Sequence, residues 1–335
     1  MRVLLHQTKR LLGTLRPSLI VFLAVLGLSA VWSTAAWTST ASASSGTQMT
    51  VGLVEFSSTS PIDKLFAQVS EAQLKKDGYH VLAQDPLGNT ANANQICTEF
   101  IAAHVNALAI TTFAWDQMTT CEAEAKAAHV PMFFVGSPLL TGMAGAVDTT
   151  SAKPINDLFI KYVLAHHVTN VFALDYSPGT PCLLRARYRE QLLKAEAPKV
   201  QLTSHQFPIP GQVVDAQTAT AAWLQAHPVG AGTYVIWSCY ADPTDGALAA
   251  LAEAGRNVPI FTWDFNMTLY NPIKEAKVAA DLYLDPFGVG KQQAAQVNAW
   301  LHGNHKRQFV NGTTDVLTPG NVVQFIKANP IAKTA

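Results

Sequence analysis

From Thr50 onward the chain alternates short β-branched or apolar runs with longer helical stretches, and that alternation leaves few folds open. Strand-like runs are Val51–Val54, His80–Ala83, Ala107–Thr111, Pro131–Val135, Asn170–Leu174, Val200–His205, Thr233–Trp237, Pro259–Thr262 and Val278–Leu284. Between them lie helical patterns over Pro61–Lys76, Ala93–His104, Met118–Ala128, Ile155–His166, Leu183–Glu196, Asp215–Ala226, Thr244–Gly255 and Gly288–His302. One run with its helix takes about 25–30 residues, the size of a βα pair. Successive βα pairs place their strands parallel and cover both sheet faces with helices, so the fold class expected is α/β.

An internal echo divides this pattern in two. Cys121-Glu-Ala-Glu-Ala-Lys-Ala-Ala-His-Val-Pro-Met-Phe-Phe resembles Leu248-Ala-Ala-Leu-Ala-Glu-Ala-Gly-Arg-Asn-Val-Pro-Ile-Phe. Each is a small-residue helix, a short turn, then Val-Pro and a buried strand, which favours two similar α/β halves over one large sheet. Ser60-Pro61, Thr180-Pro181, Asp242-Pro243 and Asn271-Pro272 each put a capping residue before a proline, so each is expected to open a helix. All four follow strand ends, where an open parallel sheet binds ligands and helix N-termini offer free N–H donors.

The first 43 residues stand apart. Arg2, Lys9, Arg10 and Arg16 are their only charges, followed by an uncharged run from Pro17 to Trp37 and the small polar stretch ending Ala41-Ser42-Ala43. This reads as an export signal, residues 1–43, cleaved after an A-x-A site. The apolar run is also long enough to remain as a signal anchor. Removing it leaves a chain that suits about two domains of roughly 150 residues. The rest is mildly acidic and only 14% of all residues are charged, which excludes a disordered chain and a nucleic-acid binder.

Catalytic apparatus is missing from the sequence. There is no Gly-x-Ser-x-Gly elbow, no His-Glu-x-x-His, no Cys-x-x-Cys and no Gly-x-Gly-x-x-Gly after the first strand. The pairs His166-His167 and His302-Gly-Asn-His305 have no further ligand at metal spacing. Neither an enzyme nor a cofactor or metal is expected. What does recur beyond strand ends is aromatic: Phe56, Phe113, Trp115, Trp237, Tyr240, Trp263, Phe265 and Tyr283. Flat rings beside Asp, Asn and Arg suit a neutral polyhydroxylated ligand, whose C–H faces stack while its hydroxyls need donors and acceptors. The alternative for any one ring is that it closes a core layer.

Taken in order, several segments look familiar. Val51-Gly-Leu-Val-Glu-Phe-Ser-Ser-Thr-Ser-Pro, Asp85 and Asn92-Ala-Asn-Gln95, Val105-Asn-Ala-Leu-Ala-Ile, and Val130-Pro-Met-Phe-Phe come first. Gly179-Thr180 with Arg185 and Arg187, Gly246-Ala-Leu-Ala-Ala-Leu, Trp263-Asp264 and Lys277-Val-Ala-Ala follow. The whole of residues 50–328 resembles the type I periplasmic binding proteins of ABC sugar importers, the ribose-binding branch in particular. The resemblance implies two Rossmann-like lobes joined by a three-strand hinge: 49–149 plus 285–311, and 150–284 plus 312–328.

It also implies ligand contacts at Ser60, Arg187 and Asp264, with Tyr240 or Asp242 where the family often has Asn or Asp. The family's Asp-Arg pair is replaced here by Gly136-Ser137, which argues against ribose itself. With the strand-end aromatics, the candidate ligand residues are Phe56, Ser60, Phe113, Trp115, Ser137, Arg187, Tyr240, Asp242, Trp263, Asp264 and Asp285. The function implied is an exported monomer, periplasmic or extracellular, that captures a small polar ligand such as a sugar or polyol for an ABC permease. A ligand-sensing ectodomain of the same fold is the alternative, favoured if the N-terminal segment stays as an anchor. An exported chain meets an oxidising compartment, and pairs Cys97–Cys121 and Cys182–Cys239, each within one lobe, are expected. A bond between lobes would block hinge closure. Four free buried thiols are the alternative.

Overall fold

The computed structural model describes residues 48–334. Residues 1–43, read above as an export signal, lie outside the described residues, and no helix within the described residues is long and apolar enough to cross a membrane.

The first half runs β1 (Thr50–Val54), α1 (Pro61–Lys76), β2 (His80–Gln84), α2 (Thr90–Ala102), β3 (Ala107–Thr111), α3 (Thr119–Ala127), β4 (Met132–Val135) and β5 (Gly145–Asp148). The second runs α4 (Ala152–Ala165), β6 (Asn170–Asp175), α5 (Thr180–Glu196), β7 (Gln201–Gln206), α6 (Gln212–Ala226), β8 (Tyr234–Ser238), α7 (Ala241–Glu253), β9 (Ile260–Phe261), α8 (Tyr270–Lys274) and β10 (Val278–Leu284). The chain closes with α9 (Pro286–Leu301), β11 (Gln308–Asn311), β12 (Thr314–Leu317) and α10 (Val322–Ala328).

Two six-stranded sheets result, ordered β2-β1-β3-β4-β5-β11 and β7-β6-β8-β9-β10-β12. The order is the same in both, and β4 and β9, the strands of the sequence echo, hold the same place. All pairs are parallel except β10 with β12. The central strands β3, β4 and β8 are buried along their whole length, as a sheet covered on both faces demands. Their continuous apolar runs made them visible in the sequence.

Three strands had no sequence signal: β5, β11 and β12. Each is four residues long, and β11 and β12 are the outermost strands of their sheets, half exposed. Too few side chains of β11 and β12 are buried to leave a pattern, and β5, though buried, is a four-residue run of Gly, Ala, Val and Asp.

The chain passes between the sheets at Thr149–Ser151, at Asp285 and at Gly312–Thr313. The crossings bind one another: Gly312 N–H donates to Asp148 O at 2.8 Å and Asp285 N–H to Thr313 O at 2.9 Å. Inside each lobe, glycines let helices touch. A Cβ on Gly290 of α9 would stand 2.8 Å from Phe66 O of α1, and one on Gly246 of α7 only 2.2 Å from Val213 O of α6.

The helix starts correct the capping expectation. Of the four expected pairs, only Ser60-Pro61 has its first residue at the N-cap, and the Ser60 hydroxyl donates to Asp63 instead of capping the backbone. Gly179 caps α5, so Thr180 is its first helical residue, and Tyr240 caps α7, so Asp242 lies inside the first turn. Asn271 falls within the short α8. The Asp-Pro pair that does cap is Asp285-Pro286, where Asp285 accepts from Phe287 N–H at 3.1 Å.

Candidate functional site

The C-terminal ends of the parallel strands face one another across a cleft. It is lined by Phe56 after β1, Thr112 after β3, Thr149 at the first crossing, Tyr176 and Gly179 after β6, Tyr240 after β8 and Asp264 after β9. Helix starts add Ile62, Asp63 and Phe66 from α1 and Pro181, Cys182 and Arg185 from α5, with Ile209 at the rim. The lobes touch along one side: Thr180 N–H donates to Thr112 O at 3.2 Å, Ala114 N–H to Pro178 O at 3.3 Å and Gln212 Nε2 to Thr59 O at 2.8 Å. The space left is about 30 Å³, enough for about two waters.

Arg185 organises the floor. Its Nε donates to Thr150 O at 2.8 Å, one terminal nitrogen to Cys239 O and Asp264 Oδ2 at 2.9 and 2.7 Å, and the other to Thr149 O and Asp264 Oδ1 at 2.8 and 3.0 Å. All five N–H donors of the guanidinium are thereby used. The Asp264 backbone is left-handed, φ 63°, and its N–H is held by Leu282 O at 2.8 Å.

Facing it from the other lobe, Asp63 in the first turn of α1 accepts from Ser60 Oγ at 2.6 Å and Thr112 Oγ1 at 2.5 Å. Burial pushes its carboxyl up to about 6, the two hydroxyl bonds opposing and the Asp264 charge adding to the rise. Asp242 accepts from Gln212 Nε2 at 2.9 Å, and burial, with the charges of Asp245, Asp63 and Asp264, pushes it up to about 7. The Tyr240 phenol is buried and held well above its ordinary value by burial, with the charges of Asp242 and Asp63 adding and the Ser60 hydroxyl opposing. A chain of rings spans the lobes: Phe113, Phe56, Tyr176, Phe207 and Tyr240, with successive centroids 4.8 to 6.0 Å apart.

Of the sequence candidates, the structure brings Phe56, Tyr240 and Asp264 to the cleft surface. Ser60 lies buried beneath Asp63, Phe113 behind Phe56, and Asp242 against Gln212. Trp263 does not line the cleft: it is buried in the core, its Nε1 donating to Ser151 O at 3.1 Å while the Arg185 guanidinium lies over its ring. Four candidates lie elsewhere. Trp115, in a short 3-10 turn, packs edge-on against Phe134, three residues after Thr112 with its left-handed φ of 65°. Ser137 donates to Pro138 O, and Asp285 caps α9.

Arg187 is exposed. At about 100° per residue it points some 200° away from Arg185, whose face it shares neither with the cleft nor with Arg189. Arg185 takes the place expected of Arg187. At Gly136, a Cβ would stand 3.2 Å from Pro181 Cγ of the opposite lobe, so the missing Asp-Arg side chains make room for that contact. Asp63, Thr112, Thr149, Tyr176 and Arg185 were not among the candidates. Ser60-x-x-Asp63 has capping-box spacing, a signal for Asp63, and Arg185 with Arg189 are four apart on one helix face.

The predicted cysteine pairs are formed in the structure: Cys97–Cys121 with Cα atoms 5.5 Å apart and Cys182–Cys239 at 5.1 Å. No group of three or more His, Cys, Asp or Glu that could hold a metal occurs among the described residues.

Comparison with known proteins places this geometry. No protein of curated function matches the chain in sequence. The family described as "Periplasmic binding protein domain" matches residues 52–305. Among solved structures, an ABC transporter solute binding protein from Agrobacterium vitis with bound allitol is similar at 21% identity, TM-score 0.76, over 84% of this chain and 99% of that one. An ABC sugar transporter subunit from Rhodobacter sphaeroides is similar at 20% identity, TM-score 0.75, over 82% and 99%. A 5-methylthioribose transporter solute binding protein from Thermotoga lettingae, in complex with 5-methylthioribose, is similar at 16% identity, TM-score 0.73, over 86% and 93%. The chain therefore belongs to the periplasmic binding protein domain family and has the two-lobed α/β fold of sugar-transporter solute-binding proteins.

Proposed function

We propose that this protein is an exported, monomeric, non-enzymatic solute-binding protein that captures a sugar or polyol between its lobes and delivers it to an ABC permease. The observation that carries the reading is the distribution of groups in the cleft. Asp63 and Thr112 on one side and Asp264 and Tyr240 on the other supply acceptors and hydroxyls, with Phe56 and Tyr176 offering ring surface between them. That combination suits a ligand with many hydroxyls and a C–H face. The allitol and 5-methylthioribose of two similar structures are ligands of this kind.

A thermal-shift screen against hexoses, pentoses, polyols, acidic metabolites and peptides tests it. A ligand bound only by the folded state stabilises by about 2.7 kcal/mol at a hundredfold excess over its Kd. A shift with at least one sugar or polyol is expected. Silence across the carbohydrates with a shift for an acidic metabolite or a peptide overturns the reading.

A further inference from the structure

The cleft contains one cation among its described lining residues, Arg185, and that cation has nothing left to donate. Its five N–H groups end on Asp264, Thr149, Thr150 and Cys239. A ligand reaching the floor therefore meets a guanidinium that is structurally committed to the hinge crossing and to Asp264.

The acceptors are in the opposite condition. Asp264 balances Arg185 one for one. Asp63, contributed by the other lobe, is left with two neutral hydroxyls, and Asp242 behind it with one neutral amide. Among the described residues neither carboxylate forms an ion pair with a cation, and both are buried. The Tyr240 hydroxyl, 5% exposed, lines the same space with the Ser60 hydroxyl as a polar neighbour. A buried carboxylate with no counter-charge is costly in a closed cleft, and a ligand that brings the charge removes that cost.

We propose that the cleft selects a sugar or polyol bearing a protonated amine, with the ammonium received by Asp63 and supported by Asp242 and the Tyr240 hydroxyl. This rests on the carbohydrate-binding function proposed above and names the class within it. An ammonium presents three donors and no acceptor, matching a site whose free groups are acceptors. Burial, with the neighbouring carboxylates adding, raises the proton affinity of Asp63 and Asp242, and a ligand cation would act in the opposite sense on both. The charged and titratable groups around Asp63 are Asp264, Arg185, Asp242, Tyr240 and Tyr176, and Arg185 alone among them is a cation.

Matched pairs test the idea by calorimetric titration of the intact protein at about neutral pH: glucose with glucosamine, galactose with galactosamine, glucitol with its 1-amino-1-deoxy counterpart. In at least one pair the amine is expected to bind about tenfold more tightly or better. In Asp63→Asn that preference is expected to collapse to near parity, and in Asp242→Asn to shrink. The wild-type comparison stands whether or not either variant folds. If the neutral members bind as tightly as the amines, or more tightly, the amine proposal is wrong and the carbohydrate function stands. If no member of any pair binds, the amine proposal is wrong, and the function falls with it should the wider sugar and polyol screen also be silent. An amine preference that survives intact in a folded Asp63→Asn protein overturns the assignment to Asp63.

Discussion

The guanidinium of Arg185 grips both carboxylate oxygens of Asp264, at 2.7 and 3.0 Å, although 79 residues separate them. The same side chain holds the carbonyls of Thr149 and Thr150, where the chain passes between lobes. The pair thus fixes the hinge as much as it shapes the cleft floor, and it is buried on both sides.

Removing one member of such a pair leaves a buried charge alone. Arg185→Ala is expected to cost about 3–5 kcal/mol in denaturant unfolding, through uncompensated Asp264 and three orphaned carbonyls. Arg187→Ala, at an exposed position, is expected to stay within about 0.5 kcal/mol of the parent. Equal losses at the two positions would contradict the helix phase seen here.

Asp63 and Asp242 should make stability depend on pH in the direction opposite to ordinary paired carboxylates. Both ionise near 3.8 when unfolded but at about 6 and about 7 when folded. Between about pH 4 and pH 7 the folded state therefore holds protons that the unfolded chain has released, and this contribution falls as pH rises. The Asp63 shift corresponds to about 3 kcal/mol across the window, shared in part with its coupled neighbours. Measured by urea unfolding at a series of pH values, Asp63→Asn should gain stability relative to the parent as pH rises from about 4 to 7. A difference that is flat or of opposite slope would refute it.

Non-reducing peptide mapping of exported protein should give two linked peptides, one joining Cys97 to Cys121 and one joining Cys182 to Cys239, and no alkylatable thiol. Breaking either bond by a double Cys→Ser change is expected to cost roughly 3–4 kcal/mol, given loops of 24 and 57 residues. Losing Cys182–Cys239 should also weaken ligand binding, since Cys182 lines the cleft and Cys239 O receives Arg185. Losing Cys97–Cys121 should leave binding unchanged.

Gly246→Ala pits two effects against each other. Alanine in a helix interior gains about 1 kcal/mol over glycine. Here the new Cβ meets backbone, 2.2 Å from Val213 O and 2.9 Å from Gln217 N, which cannot move without separating α6 from α7. A net loss of about 1–3 kcal/mol is expected on thermal unfolding. A gain would mean that the two helices have room to part.

Burial decides which elements can be read from residues alone. Strands β3, β4 and β8 are wrapped by helices on both faces, so every position must be apolar and the run announces itself. Strands β11 and β12 are held by neighbours whose own sequence lies far away, and with one side in water they carry no such mark. The aromatic residues at strand ends were visible as a group. Which of them reaches the cleft was not: Phe56 lines it two residues past β1, while Trp115, four residues past β3 in a 3-10 turn, packs on Phe134.

Local chemistry in the chain determined the α/β class, the two similar halves and the cluster of aromatic and polar residues at the strand ends, because hydrophobic period and turn residues act over a few positions. The tertiary structure alone decided that Arg185 and not Arg187 faces Asp264: α5 begins at Thr180 behind a Gly179 cap, and two residues turn a helix by about 200°. It alone decided, too, that Asp63 meets Thr112 while Arg185 spends every donor on the hinge. Those are contacts between segments distant in sequence, and no local pattern encodes the distance between them.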